Sequence, residues 1–115
     1  MTDCIFCRIA AGEIPAQVVG RSERAMAFRD LNPQAPTHVL VIPLAHVDSA
    51  AQATGPEGAE TLGAVMALGV EVAAQLGLNP AGYRFVVNTG QDGGQSVGHL
   101  HVHLLGGRQM RWPPG

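Results

Sequence analysis

Residues 98–107 read GHLHVHLLGG, which sets His99, His101 and His103 at every second position with Leu100, Val102 and Leu104 in the alternate places. Strict alternation of polar and apolar residues is the period of a β-strand, whose successive side chains point to opposite faces. The spacing therefore predicts a strand with three imidazoles on one side and the aliphatic residues on the other. Residues two apart on a strand lie about 6.5–7 Å from each other. The three rings are close enough to serve one small substrate, or one metal ion if the sheet bends.

The rest of the chain limits where such a strand can sit. With 115 residues, 46% of them hydrophobic and 14% charged, residues 1–115 are expected to form one domain around one core, with 106–115 as a C-terminal tail. No apolar run approaches the roughly 20 residues of a membrane-spanning helix, and the N-terminus lacks the basic-then-apolar layout of a signal peptide. A soluble, cytoplasmic protein is expected. The net charge is −2, and the basic residues Arg8, Arg21, Arg24, Arg29, Arg84, Arg108 and Arg111 are scattered along the chain. With no basic stripe to neutralise a phosphate backbone, long nucleic acids are excluded as partners.

Read in order, CIFCRIAAGEIP predicts a short helix stopped by Gly12 and Pro15, with Ile5, Phe6 and Ile9 as its apolar stripe. AQVVGRSERAMAFRD predicts two strands joined by a turn near Arg21–Arg24, LNPQAP a loop, and THVLVIP a buried strand. Thr54 and Glu57 have the spacing of a capping box opening a long helix, in which Leu62, Val65, Met66, Val72 and Leu76 are expected to face the sheet and which Gly77 ends. YRFVVN predicts another strand. The loop TGQDGGQSVG between it and the histidine strand is too short for a helical crossover, so the last two strands should pair antiparallel and the class is α+β.

Two further features bear on chemistry. Cys4 and Cys7 form C-x-x-C, a spacing that in a cytosolic chain suits half a metal site or a redox pair, and equally two small apolar residues on a short helix. Gly90, Gly93, Gly94 and Gly98 crowd the loop before the histidines, where they permit either a flexible turn or a backbone whose N–H groups converge on an anion. The histidine face itself admits three readings: a three-histidine metal centre, a solvated polar strand, or a nucleophilic site. In the last, a neutral imidazole attacks phosphorus and forms a P–N bond that water later breaks, while neighbouring rings donate hydrogen bonds or protons near neutral pH. Crowding opposes charging all three rings at once, which favours at least one staying neutral.

HLHVHLL resembles the signature of the histidine triad (HIT) superfamily, and nearly the whole chain is similar to its Hint branch of nucleotide phosphoramidases. The stretches that carry the likeness are IFCRIAAGEIPA, AFRDLNPQAPTHVLVIP, GYRFVVNTGQDGGQSVGHLHVHLLGGRQM and WPPG. The resemblance implies a HIT-like fold with an antiparallel sheet of about five strands and two helices, the sheet continuing across a homodimer. It also implies hydrolysis of purine nucleoside phosphoramidates, adenylate- or guanylate-amine conjugates, through a nucleotidyl-histidine intermediate, with purine nucleoside monophosphates as ligands.

Carried over position by position, the resemblance makes His101 the nucleophile and His103 a contact to the phosphate and bridging atom. It makes His38 a supporting ring beside the triad, His99 the first triad member, and Ser96 a contact to leaving group or phosphate. Asn88, Gly94 and the Val97 amide join the phosphate contacts. Asp30 corresponds to the acceptor of both ribose hydroxyls, and two carboxylate oxygens suit a vicinal diol. Ile5, Phe6, Ile9, Phe28 and Leu31 correspond to the base pocket. No cofactor is implied for the chemistry. Some bacterial members hold a structural zinc through residues that correspond to Cys4, Cys7, His46 and His99, and two sulfurs with two nitrogens suit tetrahedral zinc. Gly98 departs from the bulky aromatic frequent in Hint proteins, and Trp112–Pro114 resemble a tail that crosses the dimer interface. The alternatives are a diadenosine polyphosphate hydrolase of the same superfamily and a non-catalytic nucleotide-binding regulatory module.

Overall fold

The structure is a computed structural model that describes residues 3–115. Helix α1 (Ile5–Ala10) is followed by strands β1 (Val18–Arg21), β2 (Ala25–Arg29) and β3 (Thr37–Pro43), a short 3-10 turn at Ala50–Gln52, and helix α2 (Gly55–Gln75). Strands β4 (Tyr83–Val86) and β5 (Val102–Gly106) complete one five-stranded sheet in the order β1-β2-β3-β5-β4. Every neighbouring pair is antiparallel, so the class is α+β with the expected strand and helix content.

Register assigns the two faces. Leu40 pairs with Phe28 and with His103, and Met26 with Ile42, so these side chains share one face, where they meet Phe6 and Ile9 of α1. Val39 pairs with Leu104 and Val41 with Val102, and these lie on the other face with Ala25 and Ala27 under Val65, Leu68 and Val72 of α2. The period-2 pattern of THVLVIP thus buries residues on both faces, because each face has its own helix. One side is an aliphatic core, and the other, aromatic and histidine-bearing, is open at one end.

Helix α2 departs from expectation in two ways. Its N-cap is Thr54, yet the side chain makes no capping bond, and the capping box with Glu57 does not form. Pro56, which fits the first turn of a helix, follows Gly55 there instead. Of the residues expected to face the sheet, Val65 and Val72 are buried and the half-buried Leu76 packs against the core, whereas Met66 is exposed and Leu62 half-buried; Gly58, Thr61, Leu68, Gly69 and Ala73 complete the buried face. The reason is close approach: a Cβ on Gly69 would stand 2.8 Å from the Phe85 ring, and one on Gly20 of β1 2.7 Å from Val72. Small residues, which carry little hydrophobic signal, set the contact face. Gly77 ends the helix as expected, at φ +77°.

Strand β5 begins at Val102, so only His103 of the three histidines lies within the hydrogen-bonded ladder. His99 and His101 sit on the extended segment leading into it, where the Leu100 amide donates to the Val47 carbonyl at 2.7 Å. Gly106 belongs to β5 rather than to the tail, which starts at Gly107. Arg108 anchors that tail by donating to the Gln34 carbonyl at 3.0 Å, and Arg84 donates to the Arg111 carbonyl at 3.0 Å.

Candidate active site

The open end of the aromatic face is a cavity of about 290 Å³. Ile5, Phe6 and Ile9 from α1, Phe28 from β2 and the fully exposed Leu31 line it, together with Ile14, Pro15, Ala16, Gln17, Arg29 and Leu40. Asp30, Ser96, Val97, His101 and His103 complete it. An apolar chamber therefore leads to a short polar wall, the general form of a small-molecule site. Its apolar part exists because α1 lays Phe6 edge-on against Phe28, with ring centroids 5.6 Å apart, and against His101 at 5.2 Å.

Hydrogen-bond partners fix the protons on the rings. His101 Nδ1 lies 2.8 Å from the His99 carbonyl oxygen, which only accepts, so Nδ1 carries the hydrogen and Nε2 of the neutral ring is a bare lone pair. The Gln34 amide donates to His38 Nδ1 at 3.0 Å, so the His38 proton is on Nε2. From there it is donated to His103 Nδ1 at 2.9 Å, with Asp30 Oδ2 at 3.4 Å from the same nitrogen. His103 must then hold its own proton on Nε2, a buried atom with no hydrogen-bond partner among the described residues. A bare nitrogen on His101 and an N–H on His103 thus stand on neighbouring rings 5.0 Å apart.

Burial and then the neighbouring rings His101 and His38 pull the His103 pKa down to about 4, and burial lowers that of His38 against the opposing pull of Asp30. Both rings are neutral near pH 7. Asp30, at the end of β2, is oriented by the Asn32 amide, which donates to Oδ1 at 2.8 Å.

The glycine loop is organised differently from an anion nest. Gly94 N–H donates to the Gln91 carbonyl, Gln95 N–H to the Gly90 carbonyl and Gly90 N–H to Gln95 Oε1, so these amides satisfy one another. Gly94 is exposed, Asn88 half-buried, and neither lines the cavity. Only the Ser96–Val97 end of the loop reaches it. Gln95, which sequence reading passed over, ties that end down: Nε2 donates to the Val97 carbonyl at 2.9 Å and to the Asp48 carbonyl at 2.7 Å. A lone glutamine in a glycine-rich loop carries no spacing signal that could have singled it out.

His99 is not at the cavity. It is completely buried, and with Cys4, Cys7 and His46 it forms a cluster whose donor atoms all lie within 4.8 Å of one another. His99 Nε2–H donates to the Pro43 carbonyl at 3.0 Å, leaving Nδ1 bare and facing Cys4 Sγ at 3.3 Å and Cys7 Sγ at 3.5 Å. His46 Nε2–H donates to Asp48 Oδ1 at 2.7 Å, which raises the His46 pKa and leaves Nδ1 facing Cys7 Sγ at 3.2 Å. Two bare imidazole nitrogens backed by outer hydrogen bonds, and two thiols at the N-terminal end of α1, Cys4 as its N-cap and Cys7 in its first turn, fit a tetrahedral zinc. Asp30, His38 and His103 also lie within 4.8 Å of one another, but the His38 nitrogen that faces the carboxylate carries the proton. Moving that proton to Nδ1 would set it against the Gln34 amide, so this second cluster suits proton handling and not a metal.

Residues 11–110 match the family model described as the HIT domain. The chain is 50% identical over 113 residues to an uncharacterized HIT-like protein of Synechococcus elongatus, covering 98% of this chain and 97% of that protein. It is 52% identical over 112 residues to a 14 kDa zinc-binding protein of Zea mays, covering 96% and 87% respectively. Among solved structures, it is similar to a HIT family hydrolase from Legionella pneumophila, with a TM-score of 0.93, 48% identity, and coverage of 98% of this chain and 100% of that one.

Proposed function

The chain belongs to the HIT family, and from that premise we propose that it is a purine nucleoside phosphoramidase that cleaves the P–N bond of adenylate- or guanylate-amine conjugates. The observation that carries this reading is the pairing of a bare His101 Nε2 with a proton-bearing His103 Nε2 at the polar wall of an apolar cavity. The purine lies among Ile5, Phe6, Ile9 and Phe28, and Asp30 accepts the ribose hydroxyls. His101 Nε2 attacks the α-phosphorus in line while His103 Nε2–H donates a hydrogen bond to the phosphate and bridging nitrogen, the P–N bond breaks, and the amine leaves with a proton taken from solvent. Ser96 and the Val97 amide, the end of the loop that reaches the cavity, steady the charge on the phosphoryl oxygens. Water then displaces His101 from phosphorus, giving a proton back to solvent, restoring the neutral imidazole and releasing the nucleoside monophosphate.

No step runs through the Cys4, Cys7, His46 and His99 cluster. Zinc bound there supplies a structural cross-link between α1, the loop after β3 and the segment before β5. His99 belongs to that cluster, and its part in the catalytic wall is its carbonyl oxygen, which holds the His101 tautomer. The same proposal includes a cytoplasmic homodimer whose sheets join, with β4 at the sheet edge available for it. Among the described residues no helix is long and apolar enough to cross a membrane.

The deciding experiment measures monophosphate release from an adenosine phosphoramidate with and without a strong chelator. Release that persists at saturating substrate after chelation is the expected result. Loss of kcat on chelation would overturn histidine-centred catalysis. Absence of release, with diadenosine polyphosphate cleaved instead or nucleotide merely bound, would replace this reading by the corresponding alternative.

A further inference from the structure

The cluster of Cys4, Cys7, His46 and His99 touches the nucleotide cavity along three separate connections. Cys4 and Cys7 flank Phe6 on α1, and the Phe6 ring, only 6% exposed, packs edge-on against both His99 at 5.9 Å and His101 at 5.2 Å while lining the cavity. His99 places Nδ1 in the cluster, and its own carbonyl takes the His101 Nδ1 hydrogen at 2.8 Å. His46 is held by the Asp48 side chain, and the Asp48 carbonyl takes a hydrogen bond from Gln95, whose same amide group also holds the Val97 carbonyl. One cluster therefore reaches the apolar wall, the ring with the bare nitrogen and the Ser96–Val97 turn.

We propose that metal occupancy of this cluster sets the affinity of the cavity for its nucleotide, with Phe6, Gln95 and the His99 carbonyl as the positioning groups that transmit it. Helix α1 is six residues long, too short to hold its shape by its own hydrogen bonds, and its N-cap bond is the weak one from Cys7 N–H to Cys4 Sγ at 3.3 Å. A metal that joins both thiols to His46 and His99 orders α1, and with it the wall against which a base would stack. The ordering that nucleotide binding would otherwise have to impose is then already in place, which is positive coupling. The inference rests on the proposed nucleotide reading and on zinc as the occupant.

Coupling between two sites is reciprocal, so it is measured twice. Calorimetric AMP affinity is compared for zinc-loaded and chelator-stripped protein, and zinc affinity, by competition with a chromophoric chelator, with and without saturating AMP. Both ratios are expected to be the same, about tenfold. In Gln95→Leu, which leaves all four ligands in place, zinc should still bind at one per chain while the ratio falls several-fold. One zinc per chain with equal AMP affinity in both forms overturns the coupling and leaves both underlying readings standing. Failure of AMP to bind either form sinks the nucleotide reading, and zinc stoichiometry unchanged in Cys4→Ser/Cys7→Ser sinks the metal site; either also ends the coupling. Should the stripped chain fail to fold, the zinc affinities with and without AMP decide alone: equal values overturn the proposal.

Discussion

Acid should weaken this fold through His103. Burial and the adjacent His101 and His38 rings bring its pKa from the ordinary 6.5 down to about 4 in the folded chain. A depressed imidazole pKa means that the unfolded chain takes up the proton first as pH falls. The stability contributed by the neutral ring is present in full above about pH 6.5 and is lost progressively as the pH drops toward 4. Near pH 5 unfolding takes up about nine-tenths of a proton at this ring, a slope of about 1 kcal/mol per pH unit, and about half that once solvent screening of a half-buried ring is allowed for. His38 acts in the same direction, since burial lowers its pKa too. The assay is urea unfolding at pH 7 and pH 5 for the parent chain and His103→Gln. Between those conditions the parent should lose about 1–2 kcal/mol more than the variant. Equal losses, or an imidazole of His103 that titrates near 6.5 by NMR in the folded protein, would refute the reasoning.

His101→Ala should lower phosphoramidate turnover by at least about 10⁴-fold, because among the described residues no other bare nitrogen faces the polar wall, while AMP affinity measured by calorimetry changes by less than about threefold. Asp30→Ala should erase the preference for AMP over its 2′,3′-dideoxy counterpart, about tenfold or more in the parent, and a preference that survives would remove Asp30 from the ribose role. On α2, Gly58→Ala should destabilise by about 2 kcal/mol despite better helix propensity, since a Cβ there would collide with the Ala53 carbonyl. Gly63→Ala, which faces open space, should stabilise by about 1 kcal/mol; thermal unfolding of the two variants compares them directly.

The candidate site residues were legible where chemistry coincides with spacing. Alternation put His99, His101 and His103 on one side of the chain, and the side chains do lie on the α1 side of the sheet, although only His103 belongs to the ladder. What alternation could not state is that the rings part company, His99 lying among the cysteines and His101 and His103 at the cavity. His99 turns its ring to the cysteines because α1 packs there, and the Phe6 ring stands edge-on to both His99 and His101. The glycine loop shows the same limit: glycine spacing permits both a turn and an anion nest, and only the internal bonds of Gly90, Gly94 and Gln95 distinguish them.

Local pattern was enough to place the helices and strands, because period, glycine and proline placement, and the polar–apolar contrast of neighbouring residues are properties of short stretches of chain. It also marked out the Cys4–Cys7 pair and the histidine run, since each is a short repeat of reactive side chains. Folding settled which small residues join Val65 and Val72 on the buried face of α2, where close fit matters, and the proton positions on His38, His101 and His103. Those protons depend on the backbone groups of Gln34 and His99, which every residue possesses and no sequence pattern distinguishes. Hydrogen-bond direction is fixed only when folding brings a given carbonyl or amide to a given ring, and the proposed reactivity of the cavity rests on that direction.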